Sequence, residues 1–288
     1  MGRTDATGSA AGGRLVYLGA FAFAALGTMA CGDDSSSSPP TAPSPTTTSI
    51  AVTVAGPLRM GQTTQATGTQ MLSNGQSQAI TSGWQSDAPS VATVTGAGVV
   101  TGVANGRATI YVISGGVQGQ QVVRVVPDYH GNWTLGIRVT SCTETGIFSD
   151  FDFCEDFAGG EMYGMFLNLS QSGEQVTATP DWGEGVGTGT SGLASVREDG
   201  SLAFDSTANV TESGITLAID SSFALNSTRV GELTGSITDV WRFPNISGEG
   251  RLTFGVASAT RSGAGTNTMS STKASGLRTI TAARKRTR

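Results

Sequence analysis

Short runs in which apolar and polar residues alternate are the feature that most constrains the fold of this chain. In the run ATIYV, Ala108, Ile110 and Val112 fall on one face and the residues between them on the other, and the runs at 215–219 and 251–256 repeat the pattern. Alternation with period two is typical of β-strands with one buried face. Glycine, with 41 of 288 residues, favours tight turns between such strands. The sequence therefore predicts an all-β protein.

The length and the changes in composition predict two domains with flexible flanks. A chain of 288 residues is long enough for two domains of ordinary size. We predict a leader over 1–30, a Ser/Pro/Thr-rich tether over 31–46, a first module over 47–127, a second module over 128–258 and a disordered basic tail over 259–288.

The charge is distributed unevenly along the chain. Residues 31–249 contain seven arginines, no lysine and 21 acidic residues, a net charge of −14, whereas residues 250–288 contain eight basic residues and no acidic one. Because an acidic body repels phosphates, we expect no nucleic acid as a partner. The basic end of the tail is suited to contact with anionic lipid or surface polysaccharide, and the simpler alternative is a solvated tail.

The N-terminus has the features of an export signal. The 16 residues of LVYLGAFAFAALGTMA, at 15–30, are too few for the about 20 that span a bilayer but suit the core of a signal peptide. With Cys31 directly after them, they resemble a bacterial lipoprotein signal, which implies that Cys31 is the acylated first residue of the mature chain. Thr28 stands where such signals usually carry leucine. The alternative is ordinary cleavage after Ala30, which leaves Cys31 as a free thiol.

The segment after Cys31 agrees with an anchor at that position. GDDSSSSPPTAPSPTTT cannot bury apolar area and is expected to be an extended tether. By the same resemblance, Gly32 rather than aspartate after the cysteine permits sorting to an outer membrane. We therefore expect an exported protein, anchored to a membrane by lipid, in the outer membrane or at the cell surface.

The other two cysteines are expected to form a disulfide. If Cys31 carries lipid, Cys142 and Cys154 remain as a pair, and export places them in an oxidising compartment. The loop that they close is acidic, and Asp150, Asp152 and Glu155 have oxygens that suit Ca²⁺. Their spacing lacks the glycine and the terminal glutamate of a known calcium loop, so we predict a solvated acidic loop and no metal site.

Four phenylalanines accompany this loop. They are expected either to plug one end of the second module or to pack on its sheet, and an exposed cluster would instead mark a binding surface. The residues are Phe148, Phe151, Phe153 and Phe157.

The first module resembles the bacterial immunoglobulin-like (Ig-like) domain of group 2. The resemblance rests on four segments in order: WQSD at 84–87, PSVATV at 89–94, GVVTGV at 98–103 and GRATI at 106–110. It implies a small antiparallel β-sandwich with Trp84 between the sheets. Members of this family serve as spacers or as modules of surface adhesins.

Two further expectations concern single residues of this module. Gly98, Gly102 and Gly106 are expected to serve turns. Strand alternation around Val123 and Val125 is expected to turn Arg124 outward.

The second module contains about eight candidate strands without a helical stretch between them. A closed antiparallel barrel removes exposed sheet edges, and a second sandwich is the alternative. A hairpin is predicted around Asp199–Gly200. Gly131-Asn132-Trp133 resembles the Gly-x-Trp opening of lipocalin-like barrels, which implies a late arginine over Trp133, with Arg251 as the candidate.

The sequence predicts a protein without catalytic residues or a cofactor. His130 is the only histidine, so a histidine metal cluster or a histidine-dependent triad cannot form, and no pair of carboxylates stands out. The leading hypothesis is a non-enzymatic envelope protein whose Ig-like module presents a barrel-like binding module. Its partner is unknown, with a glycan, a small apolar ligand and a surface protein as classes. The alternatives are a structural adhesin or spacer and, third, a carbohydrate-active enzyme.

Overall fold

A computed structural model describes residues 43–158, 160–183, 187–212 and 214–262. The predicted leader with Cys31, most of the tether and residues 263–288 of the predicted tail lie outside this range. Within it, the chain is almost entirely β-strand, and it contains no helix with the length and apolar character needed to cross a membrane.

The first module is a small β-sandwich. Its strands form three hydrogen-bonded groups, with the orders β1-β4-β5, β2-β10-β9-β6 and β3-β8-β7. The strands are β1 Thr47–Thr53, β2 Leu58–Arg59, β3 Thr63–Gln65, β4 Thr67–Leu72, β5 Ser77–Ile80, β6 Gln85–Ser86, β7 Ala92–Val94, β8 Val99–Gly102, β9 Gly106–Ser114 and β10 Val117–Val126.

Trp84 lies in the core of this sandwich, as predicted. It is only 4% exposed and packs with alternate residues of the long strands, such as Ile110 and Val123. A Cβ at Gly68 would lie 3.1 Å from its ring, so β4 passes directly over the indole. Gly98 has a positive φ and serves a turn. Gly102 differs from the prediction, because it lies in β8 where a Cβ would meet the carbonyl oxygen of Arg59 at 2.8 Å.

The second module is a single eight-stranded antiparallel sheet that curls into a nearly closed barrel. The strand order is β14-β13-β12-β11-β18-β17-β16-β15. The strands β11 and β18, which are the first and last of this module along the chain, pair with each other, and the sandwich alternative is excluded. The strands are β11 Gly131–Glu144, β12 Met162–Ser172, β13 Gln175–Asp181, β14 Gly192–Ser195, β15 Leu202–Glu212, β16 Ile215–Asn226, β17 Thr234–Arg242 and β18 Gly250–Ser262.

The barrel has a seam between β14 and β15. These strands lie at the two ends of the sheet order and do not pair in a ladder. At one end of the seam, the amide of Thr190 donates to the carbonyl of Thr207 at 2.8 Å. At the other end, the turn Arg197–Ser201 joins the two strands, with the amide of Arg197 donating to the carbonyl of Ser201 at 2.9 Å. This turn, named here the junction hairpin, lies where a hairpin was predicted around Asp199–Gly200, although the strands that it joins do not pair in a ladder.

A helical insert between β11 and β12 covers one end of the barrel. It contains the helix α1, Ile147–Asp150, and a 3-10 helix, Phe153–Phe157, where no helical stretch was predicted. All four predicted phenylalanines of this insert are buried. The ring centroid of Phe153 lies 5.6 Å from that of Trp241, and Phe148 stacks on Phe243 at 5.3 Å. Residues 147–157 therefore form an aromatic plug, and the exposed-cluster alternative is excluded.

The final strand corrects two expectations. It continues to Ser262, four residues beyond the predicted end of the second module. Arg261, near the end of this strand, has its guanidinium carbon 5.3 Å from the ring centroid of Trp133. Arg251 pairs instead with Glu249, so the candidate chosen for the arginine over Trp133 was wrong.

We expect a methyl group at Gly250 to disturb the aromatic plug. A Cβ there would lie 2.5 Å from the fully buried ring of Phe153, which has little room to move. Gly250→Ala is expected to lower the free energy of unfolding by about 1–3 kcal/mol in a denaturant titration. Gly96→Ala, whose Cβ would have no neighbour within 4 Å, is the control. Equal stability of the two variants would contradict this packing.

Candidate functional site

The junction between the two modules is an extensively bonded polar site within the part of the chain that the structure describes. The first module contains only three basic residues, Arg59, Arg107 and Arg124. Each of them forms an ion pair with a carboxylate of the second module. Since no other cation exists in residues 47–127, the whole positive charge of this module is directed at its neighbour.

Arg124 is the centre of the junction, and its position corrects an expectation. Its side chain turns away from the sandwich core, as strand alternation requires, but it is only 7% exposed because the second module covers it. Nη2 donates to the carbonyls of Arg197 and Glu198 at 3.1 and 3.3 Å. Nε lies 3.4 Å from Glu174 Oε1 without a hydrogen bond of ordinary geometry.

Two further side chains fix the junction hairpin. The amide of Asn105 donates to the carbonyl of Glu198 at 3.0 Å, and the hydroxyl of Tyr129 donates to that of Gly200 at 2.7 Å. Burial raises the pKa of Tyr129 well above its ordinary value, so this hydroxyl stays protonated and keeps its donor. A Cβ at Gly200 would lie 3.0 Å from the amide of Asn105, so only glycine permits this close approach at its φ of 87°.

The ion pairs of the junction differ in exposure. The side chains of Arg107 and Glu198 are 58% and 74% exposed, so their 2.8 Å pair contributes little to stability. Asp128 is 12% exposed and binds two arginines, Arg59 at 3.0 Å and Arg261 at 2.6 Å. The buried groups around Arg124 and Asp128 therefore dominate the electrostatics of this interface.

A second polar site lies inside the barrel. On β17, Ile237, Asp239 and Trp241 share the inward face, and Asp239 is 2% exposed. Neither Asp239 Oδ1 nor Trp241 Nε1 makes a hydrogen bond of ordinary geometry to the described residues. Burial raises the pKa of Asp239 to about 7, although Ser221 and Trp241 lie close enough to favour the ionised form.

The neighbouring strands continue this polar level across the barrel wall. Ser221 on β16 is the register partner of Asp239, and Ser206 on β15 is the register partner of Ser221. Both serines are buried, and Ser206 Oγ donates to the carbonyl of Thr190 at the seam, at 2.8 Å. One level of the barrel interior is therefore polar from β17 to the seam.

Aromatic side chains surround this level. Trp241 and Phe157 have ring centroids 6.0 Å apart, and the same distance separates Phe157 from Tyr163. Phe254 contacts Tyr163 at 6.2 Å and Trp182 at 6.4 Å. Tyr163 and Trp182 are only partly buried, although they pack on the core cluster. Solvent therefore reaches the aromatic lining of the barrel at these two rings.

The predicted disulfide is confirmed, and the candidate calcium ligands do not form a metal site. Cys142 on β11 and Cys154 in the 3-10 helix are bonded, with Cα atoms 5.7 Å apart. Among the described residues, no group of three or more His, Cys, Asp or Glu is placed to hold a metal ion, and this includes Asp150, Asp152 and Glu155.

His130 borders a shallow groove on the barrel surface of about 570 Å³. Asn132 and Asn168 line it and hydrogen-bond to each other, and Arg261 closes one side by donating to the carbonyl of His130 at 2.8 Å. Arg261 also pairs with Asp128 of the junction, so His130 lies at the edge of the junction.

Sequence reasoning missed Asp239 and Trp241. The segment SITDVW does contain the signal, because strand alternation places the carboxylate of Asp239 on the same phase as Ile237 and Trp241. A carboxylate in an apolar phase is unusual in a strand and points to a special environment.

Comparison with known proteins identifies the first module only. Residues 46–125 match the bacterial Ig-like domain (group 2), which confirms the predicted family for this segment and is consistent with an extracellular or cell-surface protein. No curated protein matches the chain. A structure of domains 5–6 of the S-layer protein SbsC has 17% identity and a TM-score of 0.25 over 74% of this chain and 97% of that one. A score this low supports no inference about function.

We expect Arg124 to control the stability of the junction. Arg124→Ala removes the guanidinium's hydrogen bonds to the carbonyls of Arg197 and Glu198 and its ion pair with Glu174, and is expected to cost about 1.5–3 kcal/mol of unfolding free energy. Arg107→Ala removes the exposed pair and is expected to cost less than about 1 kcal/mol. Denaturant titrations of the mature chain measure both. A smaller loss for Arg124→Ala than for Arg107→Ala would contradict the assignment.

We expect Asp239 to make stability depend on pH. Because its pKa in the fold, about 7, exceeds the ordinary value of 3.8, the fold prefers the protonated form, and this contribution is full below 3.8 and lost as pH rises through about 7. Relative to Asp239→Asn, the wild type is expected to lose on the order of 1 kcal/mol per pH unit in this window.

Urea titrations at about pH 5 and pH 8 measure this difference. Asp205→Asn, which removes an exposed carboxylate that accepts from Ser222, controls for the loss of one charge. A stability difference between wild type and Asp239→Asn that stays constant with pH would refute the prediction.

Proposed function

We propose that this chain, whose residues 46–125 are a bacterial Ig-like domain of group 2, is a non-enzymatic, lipid-anchored protein of the cell envelope. In this proposal Cys31 carries the lipid, residues 31–46 are the tether, and the Ig-like module presents the barrel as a binding module outside the membrane. Its partner is a small ligand, a glycan or a surface protein.

The junction is the observation that carries this proposal. A module that serves only as a flexible spacer needs few contacts with its neighbour, whereas here all three arginines of the first module pair with acids of the second. The buried Arg124 also holds the hairpin that joins the two seam strands. Such contacts support a fixed presentation of the barrel.

The interior of the barrel supports a binding role for the second module. Buried polar groups in proteins are nearly always hydrogen-bonded, and an unpaired one costs stability. The buried carboxyl group of Asp239, whose Oδ1 makes no hydrogen bond of ordinary geometry, is therefore unexpected in a barrel whose interior serves packing alone.

A structural adhesin or spacer is the second candidate function. The aromatic plug covers one barrel end, and most inward side chains form one apolar cluster. A filled barrel of this kind suits a rigid building element whose contacts lie on its outer surface.

Mass spectrometry of mature protein from membranes tests the anchor. We expect the N-terminal peptide to begin at Cys31 with a diacylglycerol-type mass, and Cys142 and Cys154 to be recovered as one disulfide-linked peptide pair. Cys31→Ser is expected to remove the lipid mass and to leave the disulfide in place. An unmodified chain that retains residues 1–30 in the cytosol would refute the anchor.

A further inference from the structure

A polar groove on the barrel surface lies beside a local excess of positive charge. Asp128 binds two guanidinium groups, one with each carboxylate oxygen: Arg59 at 3.0 Å and Arg261 at 2.6 Å. Within the described ranges, Asp128 is the only acid with which either arginine forms an ion pair. Two positive charges therefore face one negative charge, although residues 31–249 as a whole are strongly acidic.

Arg261 carries this charge to the edge of the groove. Its side chain is 24% exposed, and it lines the groove of about 570 Å³ together with His130. Its Nη1 donates to Asp128 and to the carbonyl of His130, whereas Nε and Nη2 make no hydrogen bond to the described residues. Since a guanidinium offers five N–H groups, those of Nε and Nη2 remain for a ligand.

A glycine at the start of β11 permits this position of the arginine. A Cβ at Gly131 would lie 2.6 Å from Arg261 Cδ, and the φ of Gly131 is 138°. A larger residue would displace the side chain of Arg261 from the groove.

The floor of the groove is a row of polar side chains on three paired strands. Asn132 on β11 is the register partner of Asn168 on β12 and of Ser262 on β18. The amide of Asn168 donates to the side-chain oxygen of Asn132, and the hydroxyl of Ser262 donates to the carbonyl of Asn132 at 3.2 Å. The amide of Asn132 thus remains a donor and the side-chain oxygen of Asn168 an acceptor. Because the strands are paired, these groups are held in place before a ligand binds.

This lining favours a ligand that is both polar and negatively charged. The only large apolar side chain in the lining is that of Leu169, which is fully buried, so the groove offers little to a lipid. Amides and hydroxyls in a row match the donors and acceptors of a polyhydroxylated ring. A guanidinium binds a carboxylate through two parallel N–H groups, and a groove with excess positive charge attracts anions.

We propose that this groove binds a sugar that carries a carboxylate, such as a uronic acid unit of a glycan. The carboxylate lies against Nε and Nη2 of Arg261, and the ring hydroxyls contact Asn132, Asn168 and Ser170 along the floor. The volume of the groove falls in the range of about 300–1,000 Å³ that is typical of small-molecule sites. This inference rests on the proposed binding role of the second module and names the class of its ligand.

Calorimetric titration of the mature chain with methyl glucuronide tests the proposal. Methyl glucoside is the matched ligand control, because it has the same ring and differs only in carrying a hydroxymethyl group in place of the carboxylate. We expect saturable binding of the glucuronide at about 50 mM salt and at least about tenfold weaker binding of the glucoside. Binding of the glucuronide is expected to weaken at about 500 mM salt, because salt screens the charge of the arginine.

Variants assign the roles of individual residues. Arg261→Gln retains a polar head without the charge, and is expected to weaken glucuronide binding at least about tenfold and to abolish the preference over the glucoside. Asn168→Ala removes an exposed amide and is expected to weaken glucuronide binding about threefold or more while the preference is kept. Arg138→Gln removes an exposed arginine farther along β11 and is expected to leave binding unchanged.

Circular dichroism verifies that each variant is folded. Because Arg261 also packs over Trp133, Arg261→Gln carries a risk of unfolding, and Asn168→Ala on the outer face then provides the test. The proposal is wrong if the glucuronide shows no saturable binding up to about 50 mM, if both sugars bind equally, or if folded Asn168→Ala binds like the wild type. None of these results affects the test of the membrane anchor, which depends on Cys31 alone. A failure of the ligand class is therefore distinguishable from a failure of the proposed envelope function.

Discussion

The buried guanidinium of Arg124 is the interaction on which the arrangement of the two modules depends. It contributes five donors from a single strand of the first module and places two of its bonds on the backbone of the junction hairpin. Backbone carbonyls are fixed more rigidly than carboxylate side chains, so these bonds define position as well as attraction. Glu174 compensates the charge at longer range, which makes the buried arginine tolerable. Lysine, with one point charge, could not replace these bonds.

The barrel combines a well-packed plug with an incompletely satisfied interior. The disulfide fixes the plug to β11, and stacked phenylalanines fill the space beneath it. One level farther in, Asp239 Oδ1 makes no hydrogen bond of ordinary geometry, although a smaller apolar residue would avoid the burial cost of the carboxyl group. One inward residue lowers stability here, whereas the rest of the interior is closely packed. This is the pattern expected of a functional residue in a stable scaffold.

Local sequence patterns predicted the strands, but they did not predict the contacts between distant segments. The alternation at Val123, Arg124 and Val125 correctly assigned the face of each side chain, yet the segment that covers Arg124 lies some seventy residues later. The four phenylalanines were expected to plug the second module or to pack on its sheet, and only the structure shows that they cover one barrel end. The sequence predicted the family of the first module because its motifs are contiguous. It could not predict the hydrogen bonding of Asp239, because that depends on the orientation of Trp241.

The arginine over Trp133 illustrates a different limit. Apolar alternation in the last strand ends near Val256, so the polar residues that follow give no reason to extend it, and the sequence indicated only Arg251 as the candidate. Pairing with β11 continues the strand to Ser262, because backbone hydrogen bonds do not require apolar side chains. Strand length in a barrel is set by the neighbouring strand rather than by the residue pattern alone.

The contact between the first module and the barrel determines how a mechanical force acts on the seam between β14 and β15. The first module holds the hairpin that is continuous with both seam strands, through Arg124 and Asn105. Tension applied between the modules therefore reaches β14 and β15 together, at the junction hairpin that joins them. The force pulls both strands in the same direction. It therefore loads the two seam strands as one unit and does not peel one strand from the other.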